Sequence, residues 1–160
     1  KPTVFALSNA SQANRAELGN SKPLLTPNQL KTLVRAGWTV GCHSASHPDF
    51  ASLSARQMRQ EITQAKKSLE KVIGKSVNYF AYPKGYYDPE ITKCVQKSGY
   101  TMAFSMNNSI PKPKLTNLFA IPRVGIDASH TPAEFQNTLL PVNISLRRRL
   151  SRLNFKYEIS

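Results

Sequence analysis

Two of the chain's three histidines, His43 and His47, fall in one short window: Gly41-Cys42-His43-Ser44-Ala45-Ser46-His47-Pro48-Asp49-Phe50. Side chains four apart point the same way when the backbone between them is helical or turns tightly. Two neutral imidazoles aimed at one point are a metal-site pattern, imidazole being the commonest metal ligand. The pair also reads as two ordinary polar loop residues, because two donors alone do not make a site. Cys42 and Cys94 belong to no C-x-x-C pair, and the sequence leaves open whether they are free or disulfide-linked.

The elements that must position the histidines follow from capping and periodicity. Residues 1–7 read as a strand and 8–22 as a polar loop. Thr26, Pro27 and Gln29 then spell a capping box with proline at the first helical position. Leu30, Leu33 and Val34 form that helix's buried face, and Gly37 ends it. Trp38-Thr39-Val40 is an apolar run read as a strand ending in Gly41, which delivers His43 and His47. Ser54 with Gln57 caps a long helix over 55–73, whose Met58, Ile62, Ala65, Leu69 and Val72 make a one-faced stripe, and Gly74 stops it. A strand over 77–82 runs into Pro83-Lys84-Gly85-Tyr86, and Asp88-Pro89 opens a helix carrying Ile91 and Val95 up to Gly99. Strands over 100–105 and 118–124, a helix capped at Thr131 with Phe135 and Leu139 inside, and a half-buried strand at Phe155, Tyr157 and Ile159 complete the chain.

Capped helix, glycine, short strand, polar loop: this repeated order implies βα units and a mainly parallel sheet or barrel. In such a fold the C-terminal strand ends converge on one face. They carry His43 and His47, then Tyr82-Pro83-Lys84-Gly85, then Pro122-Arg123-Val124-Gly125.

Composition narrows the function classes. The 160 residues suffice for one domain with a real core, and 40% hydrophobic content argues against wholesale disorder. We read a single domain over 1–160, with a basic C-terminal extension over 141–160 that holds Arg147, Arg148, Arg149 and Arg152. No apolar run approaches the ~18 residues of a membrane span. The net charge of +13 invites nucleic acid, or an anionic envelope polymer or membrane, as partner. There is no zinc finger, RRM signature or basic zipper, so no nucleic-acid partner is expected, and the basic C-terminus is left as a contact to the envelope. The chain opens on Lys1 rather than Met, and an upstream segment is expected.

Taken in order, Thr3-Val4-Phe5, residues 30–37, the H-S-x-x-H of His43 to His47 with Pro48-Asp49, Phe80-Ala81-Tyr82-Pro83-Lys84-Gly85, Gly99-Tyr100 and Pro122-Arg123 resemble one family. It is the polysaccharide deacetylase domain, the NodB-homology or carbohydrate esterase family 4 group. The resemblance covers about 3–135, and the Phe-Ala-Tyr-Pro form is similar to the branch acting on poly-N-acetylglucosamine and related surface glycans. It implies a distorted (β/α) barrel, here lacking its first strand or strands. It also implies metal-dependent hydrolysis of N-acetyl groups from a cell-surface or extracellular polysaccharide of N-acetylglucosamine type, in the periplasm, the envelope or outside the cell.

By the same resemblance His43 and His47 would ligate a divalent metal, zinc being the expected ion, with Ser44 steadying their loop. The backbone N–H of Tyr82 would donate to the oxyanion, and Tyr82 and Pro83 would touch substrate. The family's Asp pair, third ligand and general base, sits on a strand ahead of the one matching 1–7 and is expected upstream of Lys1. Within the chain Asp127 is the nearest substitute; Asp49 follows His47 too closely and Asp88 reads as a helix cap. The family's third-motif arginine is missing, and Arg123 would take its place in orienting a carboxylate or a sugar hydroxyl; alternatively it is a surface arginine. His130 precedes the Thr131 cap, which leaves the catalytic acid unassigned, and Lys84 stands where the branch has an aromatic. The rival readings are a glycan-binding domain of the same fold that has lost catalysis with the Asp pair, and a basic module adhering to nucleic acid or envelope.

Overall fold

The computed structural model describes residues 2–18, 23–106, 117–126, 130–138 and 140. Residues 107–116, Asp127, Leu139, the arginine cluster at 147–152 and the strand expected at 155–159 lie outside the described residues.

Four short strands form one parallel sheet in sequence order: β1 (Thr3–Ala6), β2 (Thr39–Cys42), β3 (Tyr79–Ala81) and β4 (Met102–Phe104). Thr3 pairs with Thr39 and Ala6 with Cys42, so β1 and β2 end level. Ile121 bridges Phe104 in the same parallel sense and extends the arc by one position. The expected strand over 118–124 is reduced to that single bridge.

The helices begin where their caps dictate. In α2 (Pro27–Arg35) Thr26 N–H donates to the Gln29 side chain at 2.8 Å, and Gln29 N–H donates to Thr26 Oγ1 at 3.3 Å. Ser54 and Gln57 repeat the device at α3 (Ala55–Arg59), and Asp88 accepts from Ile91 N–H at 2.8 Å to start α5 (Pro89–Lys97). The stretch expected as one regular helix over 55–73 carries a π turn at Gln60–Gln64 between α3 and α4 (Ala65–Ile73). There the Ala65 N–H reaches back five residues to the Gln60 carbonyl. The tract 8–22, expected as loop, contains a 3₁₀ turn (Ala10–Gln12) and a short α1 (Arg15–Leu18). The last described helix, α6 (Pro132–Thr138), leaves Phe135 exposed.

The period-two alternation of the strands sorts side chains onto two faces. Ala6, Val40, Cys42, Phe80 and Tyr82 pack in one cluster with Leu30, Ile62, Leu69, Ile91 and Val95 from the helices. The other face holds Phe5, Tyr79 and Phe104, whose rings meet edge to face at 5.4 and 6.2 Å. Gly41 belongs to that face, and a Cβ there would lie 2.5 Å from the Phe5 ring. Glycine lets the ring lie across β2, and the strand continues through Cys42 instead of ending at Gly41. Both cysteines are free thiols; burial pushes Cys42 up to about 12, which keeps it protonated and unreactive.

Candidate metal centre

The histidine loop leaves β2 at Cys42 and is tied on both sides. Its carbonyls accept from the tract that follows β1: Ser8 N–H to Ser44 at 3.2 Å, Asn9 to Ala45 at 3.0 Å and Asn14 to Ser46 at 2.7 Å. Its amides point to the helical layer, where Glu61 Oε2 accepts from both Ala45 N–H and Ser46 N–H at 2.9 Å. Glu61 Oε1 accepts from the Ser46 hydroxyl at 2.8 Å. Ser44, fully buried, accepts the His47 N–H on its Oγ at 2.9 Å. With these bonds in place Ser44 and His47 adopt φ of 74° and 60°. Left-handed backbone at non-glycine residues costs about 1–3 kcal/mol each, and charge-assisted hydrogen bonds of the Glu61 type are worth about 1.5–3 kcal/mol each. The histidines are therefore brought together by a tight turn, not by a helix.

The rings of His43 and His47 stand 5.0 Å apart between centroids at an interplanar angle of 72°. His43 Nδ1 lies 2.7 Å from the Ala81 carbonyl of β3. A carbonyl can only accept, so this nitrogen carries the hydrogen and Nε2 keeps its lone pair. Burial lowers the His43 pKa to about 4, against the opposing Ala81 bond and with smaller pushes from His47 and Arg123. His43 is thus the neutral tautomer with a carbonyl behind it, the arrangement that ligating histidines adopt. His47 is also buried. The two fit a divalent ion as nitrogen donors. Among the described residues no third His, Cys, Asp or Glu joins them to complete a ligand group.

Arg123 comes to the same strand-end face. Its Nε donates to the Ser105 carbonyl at 3.1 Å, its guanidinium lies 5.6 Å from the Phe5 ring centroid, and desolvation lowers its pKa. It is half-buried. Its charge is felt at His43.

Tyr82 and Pro83 depart from expectation. The Tyr82 N–H donates to the Phe104 carbonyl at 3.0 Å, continuing the β3–β4 ladder, so it is spent on the sheet and not offered to an oxyanion. The Tyr82 side chain is fully buried against Phe80, and its hydroxyl donates to the Phe119 carbonyl at 2.9 Å. Pro83 is fully buried as well. Neither presents surface to a substrate. The reason is strand alternation, which puts Tyr82 on the same face as Phe80, toward the helices. The turn that follows, Pro83–Gly85, places Lys84 at φ 54°. Gly85 is needed there because a Cβ would collide with the backbone of Met106. Asp49 and Asp88 are both occupied as helix caps. Sequence reasoning missed Glu61 and the anchors Ser8, Asn9 and Asn14. Nothing in the pattern flags Glu61, which reads as one polar residue beside the apolar stripe.

A parallel α/β arc with a buried histidine pair at its strand ends defines the class of molecule. The polysaccharide deacetylase family profile matches residues 1–103, and the chain belongs to that family. It is 29% identical over 79 residues to peptidoglycan-N-acetylmuramic acid deacetylase PdaA of Bacillus subtilis (strain 168), covering 49% of this chain and 30% of that protein. Among solved structures it is similar to the deacetylase PplD of Streptococcus pyogenes in complex with acetate, with a TM-score of 0.67, 24% identity, and coverage of 81% of this chain and 57% of that one. A polysaccharide deacetylase of Bacillus cereus superposes with a TM-score of 0.66 at 23% identity, over 88% of this chain and 42% of that one. These likenesses establish the fold as the family's (β/α) barrel. The matched stretch spans less than a third of the curated relative's length.

Proposed function

We propose that the protein hydrolyses N-acetyl groups on a polysaccharide of N-acetylglucosamine type at the cell envelope or outside the cell, with a divalent ion held by His43 and His47. The observation that carries this reading is the His43 ring, held neutral by burial with its Nδ1 on the Ala81 carbonyl and facing His47 at a parallel-sheet strand end. When bound, a divalent ion supplies Lewis acidity toward the acetamide carbonyl and lowers the pKa of water. The reaction breaks the acetyl C–N bond with water and yields acetate and a free amine. Zinc suits a site with two imidazoles, and a carboxylate is the donor that would complete it.

The chain's own residues supply position and charge. Ser44 fixes the loop from behind the rings through the His47 amide. Arg123, anchored on Ser105 and desolvated beside Phe5, holds a fixed positive charge that can orient a carboxylate or a sugar hydroxyl. The names of the relatives support an acetylated polysaccharide as substrate. Peptidoglycan, as in the name of PdaA, and poly-N-acetylglucosamine are the two glycans to assay first.

The test is acetate release from N-acetylglucosamine oligomers by the full-length protein. Release should stop on chelation and return with zinc, and His43→Ala should lower it at least about 100-fold. Normal release by His43→Ala would sink the assignment. Glycan binding without any acetate release by the wild type would favour the binding-only reading.

A further inference from the structure

A carboxylate from the helical layer holds the histidine loop. Glu61 lies in the π turn of the long helix, and its two oxygens take three hydrogen bonds from the loop between the histidines. Oε2 accepts the Ala45 and Ser46 amides at 2.9 Å each, and Oε1 accepts the Ser46 hydroxyl at 2.8 Å. These are the residues between Ser44 and His47, both of which sit at positive φ. A non-glycine residue keeps that backbone only where its surroundings over-determine it.

The helix is built to deliver this carboxylate. A π turn inserts one extra residue and so rotates the side chains around it relative to a regular helix. Ile62, next in sequence, is fully buried in the core, so Glu61 is pinned in direction by its neighbour. The turn itself is pinned from outside the helix: the Tyr100 hydroxyl donates to the Ile62 carbonyl at 3.0 Å, and Thr63 Oγ1 lies 2.6 Å from Ser98 Oγ. Both partners lie at the end of α5 and in the segment before β4. π turns inside α-helices recur at functional sites.

We propose that Glu61 is a positioning residue for the metal centre: carried by the π turn, its carboxylate sets the Ala45–Ser46 backbone and thereby the placing of His47 relative to His43. This rests on the reading of His43 and His47 as ligands. The role is one of reach and hydrogen-bond acceptance, in which a neutral acceptor of the same length can stand in for the carboxylate. Both amides converge on one oxygen, so a glutamine can place its carbonyl oxygen there and turn its NH₂ to the Ser46 hydroxyl, which accepts as readily as it donates. An aspartate keeps the charge but falls one methylene short.

The experiment is titration of the metal-free full-length protein with cobalt(II), read by its visible d–d spectrum, with zinc competition to give affinities. It is made on the wild type, Glu61→Gln, Glu61→Asp, Glu61→Ala and His43→Ala. Expected are wild-type spectrum and near wild-type affinity for Glu61→Gln, and affinity lower by about 10- to 100-fold with a shifted spectrum for Glu61→Asp and Glu61→Ala. Wild-type affinity and spectrum in Glu61→Asp would overturn the inference while leaving the metal reading standing. So would a loss in Glu61→Gln equal to that in Glu61→Asp, since charge and reach would then not be separable. Should Glu61→Ala fail to fold, the Gln and Asp variants decide alone. If the wild type binds no cobalt and His43→Ala matches it, the metal reading fails and the inference falls with it.

Discussion

The buried hydroxyl of Ser44 holds the loop that carries both candidate ligands. It accepts the His47 amide at 2.9 Å and is fully buried. Removing the hydroxyl leaves that amide unsatisfied, at a cost of about 1–3 kcal/mol. Ser44→Ala should therefore lower the free energy of unfolding by that amount in denaturant titration, and Ser44→Thr, which keeps the oxygen, should lose less. Equal losses in the two variants would show that the hydroxyl matters for its space and not for its bond. The histidine window stands out in the sequence by its spacing, and the tight turn that brings the two rings together does not. The state of His43 was not legible, because it depends first on burial by the folded chain and then on Ala81, His47 and Arg123, of which Ala81 and Arg123 are distant in sequence. Tyr82 was misplaced for a plainer reason. The alternation Phe80, Ala81, Tyr82 already assigns it to the helix-facing side, and its amide belongs to the ladder.

Helix starts could be read from sequence because a cap is a contact among residues three apart, as at Thr26 with Gln29 and Ser54 with Gln57. The π turn could not, since what fixes it comes from Tyr100 and from the loop amides of Ala45 and Ser46, all distant in sequence. Strands came out shorter than the apolar runs because residues such as Val77 and Tyr100 are buried in the core outside the ladder. The connection from α4 to β3 adds a titratable tether. Glu70 accepts the Val77 N–H at 3.0 Å and pairs with Lys66 at 2.9 Å, while Lys66 itself donates to the Val77 carbonyl. What burial Glu70 has raises its pKa, but the Val77 amide and Lys66 outweigh this and leave it below the ordinary value of 4.5. A carboxylate depressed in the folded state stabilises fully above its unfolded pKa, and the contribution is lost as pH falls through the folded value. Stability should accordingly decline as pH drops below about 4.5, and Glu70→Gln should flatten that part of the unfolding profile. An unchanged profile would remove Glu70 from the account.

For the molecule as a whole, the parallel order β1-β2-β3-β4 brings the ends of three βα units to one face, where His43, His47 and Arg123 meet. The fold class and that convergence follow from the repeat of cap, glycine and strand. The excess of positive charge, +13 over 160 residues, did not help to find the site, and its densest cluster lies outside the described residues. The central claim is that the two histidines share one ion. Crystals of the full-length protein grown with zinc, with data collected on both sides of the zinc edge, address it directly. The account predicts one strong anomalous peak about 2.1 Å from a ring nitrogen of His43 and of His47. A zinc-loaded protein with no peak at the pair, or with a peak bound by neither ring, would contradict it.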